Sequence, residues 1–160
     1  MDRPLLFLDV DGPLLPFGAI TPVSEAGARS TRTATNPLLA RLNRDHGRRL
    51  WTLPCDLVWA TTWMGDANDT IAPLLGLPDL PVVEWPDSDE EDDSLHWKTR
   101  GLVQWAAGRP FVWVDDEITN ADREWVYANY DGKALLHRVD PHCGLTDQDL
   151  TLVERWFARL

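Results

Sequence analysis

Three apolar runs of the sequence end in polar residues suited to chemistry. These residues are Asp9, Asp11 and Gly12 after the first run, Thr61 and Thr62 after the second, and Asp115 and Asp116 after the third. A lone basic residue, Lys98, precedes a segment with a helical pattern. Clustered carboxylates repel one another and lose hydration unless a cation or a proton compensates them. A divalent metal ion together with a phosphoryl substrate is the simplest source of that compensation.

The spacing of the first two acids suits phosphoryl transfer. A carboxylate can attack phosphorus and form a covalent aspartyl-phosphate. An acid two residues further on points elsewhere once the strand has ended, so that it can protonate the leaving oxygen and later deprotonate water. Since the attacking carboxylate and the phosphate repel each other, a cation must hold them together. A lysine and a hydroxyl group would then bind the non-bridging oxygens.

The elements that position these residues alternate between strands and helices. Strands are predicted at residues 5–10, 57–60, 82–85, 111–114 and 134–139. Helices are predicted from Asn36-Pro37 to Gly47, at residues 65–75 with Pro73 as a possible kink, at 96–107, at 120–129, and after Thr146 as an N-cap. This alternation predicts an α/β fold, a parallel sheet with helices on both faces. Ligands bind such sheets at the carboxyl ends of the strands, where the candidate residues fall.

These motifs resemble, in order along essentially the whole chain, the four motifs of the haloacid dehalogenase (HAD) superfamily of phosphohydrolases. The resemblance implies a Rossmann-like sheet with the Asp9 strand at its centre. It also implies that Asp9 is the nucleophile and a Mg²⁺ ligand, and that Asp11 is the general acid/base and contributes its backbone carbonyl to the metal. We therefore expect one domain over residues 1–160, with a flap at residues 12–35 and a minimal cap or none.

The other motifs have implied roles in binding phosphate and metal. Phosphate binding is assigned to Gly12, Thr61 and Lys98, with Thr62 as the alternative to Thr61. The fourth motif, which positions Mg²⁺, offers two candidate metal ligands, and Asp115 is favoured over Asp116. Pro13 departs from the family pattern, which usually has Thr or Val at that position.

An acid at position 11 favours phosphoester hydrolysis over dehalogenation, since a departing halide needs no proton. The expected substrate is therefore phosphorylated. Because a site without a cap is open, this substrate can be a macromolecule. The formal net charge of −11 argues against tight binding to bare nucleic acid, which needs a basic surface, but Mg²⁺ and a local basic patch can outweigh the overall charge. The alternative from another class is a non-catalytic or phosphoacceptor module similar to a receiver domain.

The remaining patterns favour structural interpretations. Cys55 and Cys143 are too few for a disulfide framework and are predicted to be free thiols. Neither a signal peptide nor a membrane-spanning run is recognised, which leads us to expect a cytoplasmic protein. Three groups are predicted to be solvated or structural, namely the acidic run at residues 87–93, the arginines 44, 48 and 49, and the four histidines.

Overall fold

The computed structural model describes residues 3–16, 42–85 and 95–160. In these ranges a four-stranded parallel sheet has the order β2-β1-β3-β4. Its strands are β1 (Leu5–Leu8), β2 (Asp56–Trp59), β3 (Phe111–Asp115) and β4 (Ala134–Arg138). Leu8 at the end of β1 pairs with Trp59 of β2 and with Val114 of β3. Three strand ends therefore meet at one edge of the sheet, and the predicted parallel α/β architecture is confirmed.

Helices cover both faces of the sheet. They are α1 (Asp45–Thr52), α2 (Ala72–Leu75, directly after a π-helical turn at Ala67–Ile71), α3 (Thr99–Ala106), α4 (Asn120–Asn129) and α5 (Asp147–Ala158). Leu6 and Leu8 pack with α1, α2 and α5, whereas Leu5 and Phe7 pack with α3 and α4. Because both faces are covered, the central strand is apolar throughout. No helix in the described part of the chain is long and apolar enough to cross a membrane.

The strand predicted at residues 82–85 is wrong, because only one isolated bridge forms there, between Val82 and Trp59. The backbone N–H of Val83 donates to the carbonyl of Trp59 at 2.9 Å, and the pairing then stops. Two residues later the indole N–H of Trp85 donates to the carbonyl of Thr61 at 3.1 Å. A side-chain bond therefore replaces the continuation of the ladder.

The helix predicted from Asn36-Pro37 to Gly47 is wrong at both described points, because residues 42–44 are not helical and α1 begins at Asp45 and runs through Gly47 to Thr52. A Cβ atom at Gly47 would lie 2.0 Å from the carbonyl oxygen of Leu75. The glycine therefore allows α1 and α2 to approach closely and does not end a helix. The beginning of that predicted helix, at residues 36–41, lies outside the described residues. The same holds for most of the predicted flap and for the acidic run.

The remaining helix predictions agree in place and differ at their ends. The helix predicted at 96–107 begins at Thr99 and ends at Ala106, and before it the N–H of His96 donates to the Asp122 carboxylate. The predicted kink at Pro73 corresponds to the π-helical turn before it, as proline offers no N–H to that turn. Thr146 caps α5 as predicted. Cys55 and Cys143 are free, also as predicted.

Candidate active site

Asp9 stands directly after β1, at the centre of the carboxyl edge of the sheet. Its backbone N–H donates to the carbonyl of Val114 at 3.1 Å, which continues the pairing with β3 and fixes the residue in place. The side chain is 9% exposed, and its Oδ1 lies 3.1 Å from Nζ of Lys98. A carboxylate buried to this extent needs a positive charge beside it. Lys98 provides that charge from a separate element of the chain.

The Lys98 ammonium group is buried and contacts the ends of three strands. Its Nζ lies 3.1 Å from Asp9 Oδ1, and donates to Asp115 Oδ2 and to the carbonyl oxygen of Ala60, each at 2.9 Å. Burial alone would lower the pKa of Lys98, but the two carboxylates more than reverse this effect and raise it. The lysine is therefore charged at neutral pH. The three contacts match the three donors of an ammonium group.

Three carboxylates cluster here, and two of them contact the ammonium group. Oxygen atoms of Asp9, Asp115 and Asp116 all lie within 4.8 Å of one another. Burial, together with the charge of Asp115, raises the pKa of Asp9 to about 7, although Lys98 opposes the shift. Burial, together with a hydrogen bond that protonated Asp116 donates to the Asp115 carboxylate, raises the pKa of Asp116 to about 6. The cluster is therefore short of positive charge, and its oxygen donors suit a hard divalent cation such as Mg²⁺.

Asp11 lies beside this cluster, and its carboxylate has a different partner. The side chain is half-buried, and its Oδ2 accepts a hydrogen bond from the indole N–H of Trp63 at 3.1 Å. Immediately after it the chain turns back, with the N–H of Gly12 donating to the carbonyl of Leu15 at 3.0 Å. An acid that is held near the cluster but outside it can exchange protons with water or with a leaving group.

Position 12 requires a glycine, because of its backbone conformation and because of the nearby Asp116 side chain. Its φ of +100° is a region that side-chain-bearing residues rarely adopt, and a Cβ atom there would lie 2.6 Å from Cγ of Asp116. The turn after β1 therefore packs directly against the Asp116 side chain. This contact joins the first and fourth motifs in space.

The two threonines after β2 differ in burial. Thr61 is completely buried, and its Oγ1 accepts a hydrogen bond from the backbone N–H of Trp63 at 3.2 Å. Thr62 is exposed. Only the buried residue has its hydroxyl group fixed within this turn by a described contact, which favours Thr61 for orienting a substrate.

Asp122 and Trp63 contribute to this site and were not predicted. Asp122 is fully buried in α4 and accepts from the N–H of His96 at 2.7 Å and from the Thr99 hydroxyl at 2.9 Å, so it holds the segment that carries Lys98. The spacing of Thr119 and Asp122 is that of a capping box, a signal that indicates the helix start but not the contact with His96. No sequence pattern indicates that Trp63 reaches Asp11.

His96 and Trp97 precede the lysine and pack against each other. Their rings are stacked with centroids 5.4 Å apart, and Nε2 of His96 lies 2.8 Å from the Glu117 carboxylate. The prediction that His96 is structural agrees with these contacts. Nζ of Lys98 lies 5.4 Å from the Trp97 ring centroid, so an aromatic face also borders the ammonium group.

Comparison with known proteins gave one family match. A family model described as "HAD domain in Swiss Army Knife RNA repair proteins" matches residues 5–150, a span that contains all four motifs. No curated protein and no solved structure matches the chain.

Proposed function

Since the chain belongs to the family of HAD domains in Swiss Army Knife RNA repair proteins, we propose that it is a Mg²⁺-dependent phosphomonoesterase. Membership of this family indicates a phosphohydrolase-type function. The observation that carries the finer proposal is the position of Lys98, which pairs with Asp9 and Asp115 at the ends of two adjacent strands. A buried nucleophile and a buried metal-ligand candidate that share one ammonium group are an arrangement for phosphoryl transfer.

In the proposed reaction Asp9 attacks the phosphorus atom of a phosphomonoester. A bond forms between the Asp9 carboxylate and phosphorus, the bond to the leaving oxygen breaks, and Asp11 gives that oxygen its proton. Asp11 then takes a proton from water, whose oxygen attacks the aspartyl-phosphate, and inorganic phosphate leaves with Asp9 restored. Trp63 supports the role of Asp11, because its indole N–H orients the carboxylate.

The donor set fits a Mg²⁺ ion, for which Asp9, Asp115 and Asp116 are the proposed side-chain ligands. When bound, the ion supplies the positive charge that lets a carboxylate and a phosphate approach each other. Lys98 cannot supply all of this charge, since it is one cation beside three acids. Thr61 is the proposed donor to a non-bridging oxygen of the phosphoryl group.

The proposed substrate class is a phosphate at an RNA end. The description of the family, which refers to RNA repair proteins, is the reason for choosing this class over other phosphomonoesters. The net charge of −11 requires that any contact with RNA be local, because a strand is repelled by most of the surface.

The test is hydrolysis of p-nitrophenyl phosphate with and without Mg²⁺. We expect metal-dependent turnover in the wild-type protein and its loss in Asp9→Asn, with unchanged circular dichroism. The matched control is Asp79→Asn, which changes an exposed aspartate outside the site. Full activity in Asp9→Asn would refute the mechanism. A phospho-enzyme that lasts for many minutes would instead identify the phosphoacceptor module, since an enzyme with Asp11 clears the intermediate in seconds.

A further inference from the structure

A surface pocket of about 310 Å³ adjoins the candidate active site and contains two arginines. Its lining residues are Glu117, Ile118, Thr119, Asn120, Arg123 and Arg138. Arg138 ends β4, and its Nε donates to the backbone carbonyl of Asp116 at 3.1 Å. The carboxylate of that same aspartate belongs to the acidic cluster. The pocket and the cluster are therefore joined through Asp116, which is followed in the chain by the pocket residue Glu117.

The contacts of both arginines leave their charges uncompensated. Nε of Arg123 donates to the carbonyl of Leu136 at 3.3 Å, and its Nη1 donates to the side-chain oxygen of Asn120 at 3.1 Å. These acceptors, like the carbonyl that Arg138 contacts, are neutral. The contacts fix the two side chains at the pocket and remove none of their positive charge.

Some other arginines of this acidic protein contact carboxylates. Arg49 lies within 4.0 Å of Asp147 and Glu154, and Arg109 lies 2.8 Å from Asp56. Among the described residues that line the pocket, Glu117 is the one carboxylate, and its Oε2 lies 2.8 Å from Nε2 of His96. In a chain with net charge −11, two guanidinium groups that line one pocket and contact, among the described residues, only neutral oxygens point to an anionic ligand.

We propose that the pocket between Arg123 and Arg138 binds a second phosphate of the substrate, the phosphodiester next to the phosphate that is hydrolysed. This inference rests on the proposed function, because the hydrolysed phosphate must occupy the Asp9 site for the pocket to face its neighbour. Guanidinium groups suit a phosphodiester through paired N–H donors, and such contacts fix the register of a strand without reading its sequence. The pocket would thus provide a local positive patch for RNA on a protein whose net charge is negative.

The test compares wild type with the double variant Arg123→Gln/Arg138→Gln. The substrates are p-nitrophenyl phosphate, a nucleoside bisphosphate, and short oligoribonucleotides that carry a 3′- or a 5′-terminal phosphate. We expect KM for one of the two oligonucleotides to rise at least tenfold, with kcat/KM for p-nitrophenyl phosphate unchanged. The slope of log KM against log salt for that oligonucleotide should flatten by about 0.7, the value for one single-strand phosphate contact. The matched control, Arg44→Gln/Arg48→Gln, removes the same charge from exposed positions just before and within α1.

The outcomes separate this inference from the proposed function. An increase in KM for the oligonucleotide and the bisphosphate alike supports a second-phosphate site, and an increase for the oligonucleotide alone assigns it to a phosphodiester. An unchanged KM for all substrates overturns the inference while the phosphatase stands. If wild type hydrolyses none of them, the proposed function fails, and fluorescence anisotropy with a labelled 3′- or 5′-phosphorylated oligonucleotide decides the inference. Equal affinity of wild type and the double variant would then refute it.

Discussion

Replacing Asp122 should cost both stability and catalysis, although this residue does not touch the acidic cluster. Its Oδ2 accepts from the N–H and the hydroxyl group of Thr119, each at 2.9 Å, and closes the capping box of α4. Its Oδ1 accepts from the His96 N–H and the Thr99 hydroxyl, on either side of Lys98. One fully buried carboxylate therefore starts a helix and holds the lysine segment against it.

The expected loss of stability for Asp122→Ala is about 4 kcal/mol. Hydrogen bonds to charged groups contribute about 1.5–3 kcal/mol each, and a buried N–H left without a partner costs about 1–3 kcal/mol. The four bonds of one carboxylate are not additive, so the total stays well below their sum. At about 2–4 °C per kcal/mol for a chain of this size, the melting temperature should fall by about 12 °C.

The matched control is Asp149→Ala, because Asp149 forms the equivalent capping box at the start of α5. Its Oδ2 accepts from the N–H and the hydroxyl group of Thr146, each at 2.8 Å, while its Oδ1 contacts His137 and not the lysine segment. This variant should lose about 1–2 kcal/mol, the usual range for a lost cap. Measured well below both melting temperatures, kcat for p-nitrophenyl phosphate should fall about tenfold in Asp122→Asn and stay unchanged in the control.

The pH dependence of stability gives an independent check. Burial alone would raise the pKa of Asp122, but its four hydrogen bonds lower it below the ordinary 3.8. The stabilisation is then complete above the unfolded-state pKa and is lost as the pH falls through the folded-state value. The difference in unfolding free energy between wild type and Asp122→Asn should therefore shrink below about pH 4. Equal stability losses in the Asp122 and Asp149 variants, with kcat intact in both, would refute the reasoning.

Three further substitutions test the site directly. Lys98→Met should abolish turnover and destabilise the metal-free protein by about 3–5 kcal/mol, because its carboxylate partners stay buried without compensation; thermal unfolding should show Mg²⁺ recovering part of that loss. Gly12→Ala places a methyl group against the Asp116 side chain, so calorimetric titration should show weaker Mg²⁺ binding, and unaltered binding would contradict the packing. Trp63→Phe removes the donor to Asp11, so kcat should fall about tenfold at constant KM, whereas a change confined to KM would mean that the indole contacts substrate.

The periodicity of the sequence was sufficient to predict the sheet and the location of most helices. Apolar runs that end in Asp or Thr predicted β1, β2 and β3, because a strand buried on both faces has no polar positions until it ends. The strand at residues 82–85 was wrong because its pattern resembles that of a buried strand while a side-chain bond ends the pairing. Gly47 was misinterpreted for a related reason, since a glycine needed for helix contact looks the same as one that ends a helix.

Motif residues were predictable, and the residues that hold them were not. The acids and Lys98 stand at the positions that the proposed phosphoryl transfer would require, so their types and order indicated the cluster that the structure forms. Trp63 and Asp122 act through contacts between residues 52 and 26 positions apart, and no local pattern encodes such a distance. A capping-box spacing explains why Asp122 follows Thr119, but its bond to His96 depends on the packing of α4 against α3.

The strand order explains how a single lysine can serve the whole site. Because β1 lies between β2 and β3, the ends of three strands meet at one point, and Nζ of Lys98 contacts an oxygen atom from each. Any order in which β1 does not lie between β2 and β3 would separate Asp9 from Ala60 or from Asp115 by a further strand, roughly 5 Å more. The same ammonium group therefore stabilises the carboxyl edge of the sheet and contacts the proposed nucleophile, so that the expected losses of stability and of activity in a Lys98 variant have one cause.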